Sequence, residues 1–141
     1  MGSMRQNIFG DLIAHPDAAD AAPRRMVLMV GDPQRMQMLK KYFPQRTDFF
    51  LIEFSDLTPD ILKSIAPDSV VAPALCAQFD CLELAELLHR ARFKGRIRAI
   101  PKGLPRPEII REEIASLYPS LDFDMLDLTP VQLVQIRASL H

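Results

Sequence analysis

Short continuous apolar runs alternate along the chain with stretches of helical periodicity. Met26-Val27-Leu28-Met29-Val30 is the first such run, ended by Gly31-Asp32-Pro33. A run of that length reads as a strand buried on both faces. Pro33 suits the first turn of a helix, which Met36, Leu39, Lys40, Tyr42 and Phe43 continue. Phe49-Phe50-Leu51-Ile52-Glu53-Phe54 predicts a second strand. Thr58-Pro59 opens a short second helix, with Thr58 as N-cap and Ile61, Leu62 and Ile65 facing inward. Ser69-Val70-Val71-Ala72, closed by Pro73, predicts a third strand. Asp80 is placed to cap a third helix through Leu82, Leu84, Ala85, Leu87, Leu88 and Ala91, ended by Lys94-Gly95. Arg96-Ile97-Arg98-Ala99-Ile100 predicts a fourth strand. Pro105 and Pro107 lead into a fourth helix carrying Ile109, Ile110, Ile114 and Leu117, and Pro119 stops it. Phe123-Asp124-Met125-Leu126-Asp127-Leu128 predicts a fifth strand, and Thr129-Pro130 starts a fifth helix that runs to the C-terminus.

Strands separated by helical stretches predict right-handed βαβ units and a parallel sheet. Five such units over residues 25–141 predict an α/β fold, a doubly wound five-stranded parallel sheet of strand order 2-1-3-4-5, flavodoxin-like. Residues 1–24 stand apart as an N-terminal segment. Ile8, Phe9, Leu12 and Ile13 suit one or two amphipathic turns, either a docking helix or a frayed terminus. His15-Pro16-Asp17 and the Ala/Asp-rich run to Pro23 read as a linker.

Composition narrows the function classes. The 141 residues are 48% hydrophobic and 25% charged, enough for one core without a metal or disulfide staple. Lys and Arg number 17 against 18 Asp and Glu, a net charge of −1 that argues against nucleic acid as a general partner. No apolar run approaches the roughly 18–20 residues that span a bilayer, and no basic start leads into an apolar signal core. The expectation is a cytoplasmic domain with no membrane partner. Cys76 and Cys81 match no zinc-ligand spacing and read as two buried or half-buried thiols, with a redox pair as the alternative.

The order and spacing of two fragments carry a family resemblance. Pro67-Asp68-Ser69-Val70-Val71, a loop, and then Asp80-Cys81-Leu82-Glu83-Leu84 form the first; Met26 through Pro33 form the second. Over residues 25–141 the chain resembles a response-regulator receiver domain, the phosphoacceptor module of two-component signalling. That family needs an Asp nucleophile on the third strand and two carboxylates after the first strand that help hold magnesium. It also needs a Ser/Thr after the fourth strand and a Lys after the fifth to stabilise the phosphoryl oxygens. Carried onto this chain, the acidic pair falls on Gly31 and Asp32, the nucleophile on Pro73, the Ser/Thr near Pro101 beside Lys102, and the Lys near Asp127. No Asp or Glu lies between Asp68 and Asp80, so no shift in alignment restores the acceptor. The resemblance therefore implies a degenerate receiver, a pseudo-receiver. Such a module has no enzymatic activity, metal or cofactor, and acts through protein–protein contact in or near a bacterial two-component pathway.

A different use of the same edge is the alternative: a flavodoxin-like small-molecule binder or enzyme using an Asp32/Lys102 pocket. Lys102-Gly103-Leu104-Pro105-Arg106-Pro107 would lie at that edge, and Lys102 is expected to contact Asp32 directly or through water; a proline-stiffened connection is the plain alternative. Nucleotide binding is disfavoured, because Gly31-Asp32-Pro33-Gln34 has one glycine, no hydroxyl and a carboxylate that repels phosphate. Arg90, Arg92, Lys94, Arg96 and Arg98 cross a helix end and a strand, so they do not share one face. His15, His89 and His141 form no interpretable triad. The candidate interaction surface is the fourth and fifth helices. There Ile109, Ile110, Ile114, Leu117, Tyr118, Val131 and Val134 exceed the stripe about 100° wide that a surface helix needs. The expected partner is a signalling protein or a second copy, forming a homodimer, with the N-terminal segment as the intrachain alternative.

Overall fold

The computed structural model describes residues 24–126. Within them the order is β1 (Arg25–Val30), α1 (Pro33–Gln37), β2 (Thr47–Ile52), α2 (Pro59–Ile65), β3 (Ser69–Pro73), α3 (Cys81–Arg90), β4 (Arg96–Ile100), α4 (Pro107–Leu117) and β5 (Asp122–Met125). The five strands form one parallel sheet in the order β2-β1-β3-β4-β5, the topology the sequence predicts. Asp127, Leu128, the fifth helix with Val131 and Val134, and the N-terminal amphipathic turns lie outside the described residues.

The apolar runs explain the layering. Central strands of a parallel sheet are covered on both faces and cannot alternate apolar with polar. Val27, Leu28, Met29 and Val30 are all fully buried, and so are Val70, Val71 and Ala72. Because successive side chains point to opposite faces, β1 feeds two cores. Leu28 and Val30 meet Leu62 of α2 and Leu84 and Leu88 of α3; Val27 and Met29 meet Met36 of α1 on the other face. Each such side chain contributes ~1.5–3 kcal/mol on burial. Nearer the edge, β4 does alternate, with Ile97 and Ala99 inward and Arg96 and Arg98 on the other face. Arg98 donates to the Asp122 carbonyl at 3.0 Å and pairs with its carboxylate at 3.3 Å, so part of the basic run is a cross-strand pair rather than a patch.

Several terminators act as their residue types dictate. Thr58 Oγ1 accepts from the Ile61 N–H at 3.2 Å, and Pro59 follows in the first turn. Asp80 and Glu83 form a capping box, each side chain accepting from the other's backbone N–H at 2.9 and 3.2 Å.

Four boundaries differ from the sequence expectation, one of them the fifth strand, which starts at Asp122 and ends at Met125, before Leu126, instead of running from Phe123 to Leu128. The first helix stops at Gln37 instead of reaching Phe43, and Lys40–Tyr42 form a tight 3₁₀ turn. Leu39, Tyr42 and Phe43 bond back three residues, which rolls the Phe43 ring into the core, edge-on to Phe49 at 5.4 Å. The second strand is shifted two residues toward the N-terminus. Its register, Arg25 against Thr47 through Val30 against Ile52, ends where β1 reaches Gly31. Phe54 then leaves the sheet and stacks on Phe79 at 4.7 Å. The third helix ends by Ala91 rather than at Lys94-Gly95, with Arg92 in the left-handed region at φ 59°.

Candidate functional site

Parallel strands carry all their C-terminal ends to one edge, and the chain order reverses between β1 and β3. Gly31 follows β1 at that point, Pro73 ends β3, and Pro101 and Lys102 follow β4. The structure thus brings together Gly31, Asp32, Pro73, Pro101 and Lys102; Asp127 lies outside the described residues. Gly31 has φ +145°, a conformation that side chains rarely adopt. A Cβ there would stand 3.2 Å from Pro73 Cδ and 3.5 Å from Met36 Cγ. A side chain at position 31 would therefore crowd the proline ring, which would have to give by a few tenths of an ångström.

Asp32 caps α1, its carboxylate accepting from the Gln34 N–H at 3.2 Å. Of the expected contact with Lys102, direct or through water, the direct form is absent: both residues line one cavity, but their charged groups make no ion pair. The Asp32 carboxylate is satisfied by the nearest free amide of its own helix, a local bond that needs no long side chain to be ordered. Gly103 has φ +85°, and Leu104 N–H donates to Pro101 O at 2.8 Å, so the segment after β4 is a closed turn. Arg106 pairs with Glu108 at 3.4 Å on the exposed start of α4.

The cavity at this edge has a volume of about 520 Å³. Gly31, Asp32, Met36, Met38, Phe54, Pro73, Leu75, Cys76, Phe79, Ile100 and Lys102 are among its lining residues. One side is the loop between β3 and α3, which is tied down at both ends. Leu75 bridges Asp80, Cys81 N–H donates to Ala74 O at 2.9 Å, and Cys76 N–H donates to Phe79 O at 3.0 Å. Phe79 is buried and its ring lies against Phe54 with planes 15° apart. Sequence reasoning missed Phe54, Leu75, Cys76 and Phe79. For Leu75, Cys76 and Phe79 the signal was present as apolar residues in a segment that had to be a loop, whereas Phe54 reads as the end of the second strand.

The two thiols part company. Cys81 is buried at the start of α3, and burial, helped by the Asp80 carboxylate, pushes its pKa up to about 11. Cys76 is half-buried on the cavity lining, its Sγ donating to Phe79 O at 3.5 Å. Among the described residues no group of three His, Cys, Asp or Glu side chains could hold a metal ion. No helix among them is long and apolar enough to cross a membrane.

The expected interaction surface divides. Ile109 and Leu117 are exposed on α4, at 46% and 54%. Ile110 and Tyr118 are half-buried, and Tyr118 lies beside the His89 ring at 4.8 Å. Ile114 is a correction: it is fully buried against Ala85 and Ala99 and holds α4 to the sheet. Val131 and Val134 lie outside the described residues. Compared with known protein families, characterised proteins and solved structures, the chain matches none.

Proposed function

We propose that this chain is a receiver-like signalling module that does not take a phosphoryl group and acts by protein–protein contact. The observation that carries the reading is Pro73 at the C-terminal end of the third strand of a 2-1-3-4-5 sheet, packed against a side-chain-free Gly31. A tertiary-amide ring has no nucleophile to phosphorylate. Gly31 and Asp32 supply one carboxylate where a magnesium site of the receiver type uses two. With the chemistry gone, a surface remains as the means of action, and the exposed Ile109 and Leu117 of α4 are its candidate. A second copy of the chain or a signalling protein of a bacterial two-component pathway is the partner this reading calls for.

Light scattering over a concentration series tests the self-association arm. The expected result is a dimer that Leu117→Asp converts to monomer while the denaturation midpoint is unchanged. A dimer indifferent to Leu117→Asp and Ile109→Asp would place the interface elsewhere. A monomer at every concentration would remove the second copy as partner.

The open cavity supports a second reading, in which the same edge is a small-molecule site. A receiver-like edge filled by its own side chains would leave no room there, whereas this one holds about 520 Å³. In that reading Asp32 and Lys102 belong to the rim of a binding site.

A further inference from the structure

We infer that the cavity at the ends of β1 and β3 binds a planar aromatic small molecule of no net charge. The inference rests on the second reading above and names the class of ligand. A volume of about 520 Å³ falls within the roughly 300–1,000 Å³ of small-molecule pockets. The position, at the switch point of an open α/β sheet, is where such sheets bind ligands.

The chemistry of the lining selects the ligand. Half-buried Phe54, backed by the buried Phe79 ring at 4.7 Å, presents an aromatic ring to the cavity, and half-buried Cys76 and exposed Met38 add two sulfurs. Ring faces and polarisable sulfur favour another ring over an aliphatic chain. Six large apolar side chains are exposed among the described residues, and two of them, Met38 at 68% and Leu75 at 47%, line this cavity. The apolar surface therefore continues outward from the buried part.

Charge excludes the anionic alternatives. Asp32 and Glu53 face Arg35 and Lys102 around the lining, two charges of each sign, so no net field draws an ion. A phosphate would need free backbone N–H groups in the turn after β1. Pro33 has none, and the Gln34 N–H is taken by Asp32. The Gly31 N–H donates to Ile52 O, so a nucleotide or flavin phosphate at this turn would meet the Asp32 carboxylate with few amides to hold it.

Methionine-methyl NMR reads the site directly, because Met36 and Met38 line it while Met26 and Met125 do not. The probe is N-phenylnaphthylamine, which is uncharged and planar-ringed. Its titration is expected to shift Met36 and Met38 saturably and leave Met26 and Met125 still. Ala77→Trp and Leu75→Ser, both at exposed lining positions, are expected to weaken binding about tenfold or more, a loss of about 1.4 kcal/mol. Leu117→Ser, exposed on α4 away from the cavity, is expected to change nothing. If octanol shifts Met36 and Met38 and the aromatic probe does not, the ligand class is wrong and the cavity reading stands. Tighter binding of naphthyl phosphate than of the neutral probe overturns the charge argument. If no probe shifts either methyl, or if binding survives both cavity variants, the inference and the cavity reading fall together.

Discussion

Gly31 and Pro73 belong to different strands, yet each depends on the other. The positive φ of Gly31 excludes most side chains, and the Pro73 ring fills the space beside it. Gly31→Asp, which would add a second carboxylate beside Asp32, is expected to cost ~1–3 kcal/mol in urea denaturation through backbone strain and the contact with Pro73. Adding Pro73→Ala should recover part of that loss, because the contact goes and the strain stays; strict additivity of the two changes would contradict the coupling. The thiols give a second prediction at this scale. With a pKa of about 11, Cys81 is thiolate to only about one part in a thousand at pH 8, so iodoacetamide should modify Cys76 and spare Cys81 in the folded protein. Its ordinary value is 9.0, so above that pH the unfolded chain releases a proton that the folded chain keeps. This group's contribution is therefore whole below about pH 9, and stability falls as pH rises from there towards 11. Cys81→Ala should flatten that part of the stability–pH curve, and equal slopes in the two proteins would contradict the assignment.

At the scale of elements, the caps were legible and the turns were not. Asp80 and Glu83 stand at the spacing of a capping box, and Thr58-Pro59 at that of a capped first turn; both are local signals, and both helices start there. Asp80→Ala is expected to lower stability by ~1 kcal/mol in thermal or chemical denaturation. No loss would show that the box is dispensable. The continuous apolar runs gave the strands because burial on both faces leaves no other pattern. The first helix misled because Leu39, Tyr42 and Phe43 fit a helical stripe as well as they fit a 3₁₀ turn. What decides is Phe49, a partner on another strand, which periodicity does not contain. Gly95 is a similar case. It reads as a helix stop, yet a Cβ there would overlap the Asp68 carbonyl and the Phe93 ring. Gly95→Ala should destabilise the domain by ~1–3 kcal/mol, since a backbone carbonyl held in the sheet cannot give way.

Over the whole molecule, the parallel sheet converts separate sequence positions into one edge. The convergence of Gly31, Asp32, Pro73 and Lys102 was readable, because strand order alone brings strand ends together. The cavity was not readable, since Phe54 and Phe79 meet only after two loops fold towards each other. The direct Asp32–Lys102 ion pair is absent for a related reason. Proximity in the fold does not order a long exposed side chain when a local amide already satisfies the carboxylate. The proposed receiver-like function requires that this edge, with Pro73 at the end of β3, takes no phosphoryl group. Intact-mass analysis of the folded protein after acetyl phosphate and magnesium tests it most directly, with Pro73→Asp alongside. The predicted result is an unchanged mass for the wild type, and for Pro73→Asp as well, because Gly31 still withholds the second carboxylate. A phosphoryl adduct on the wild type, mapped to residues 69–80, would contradict the account.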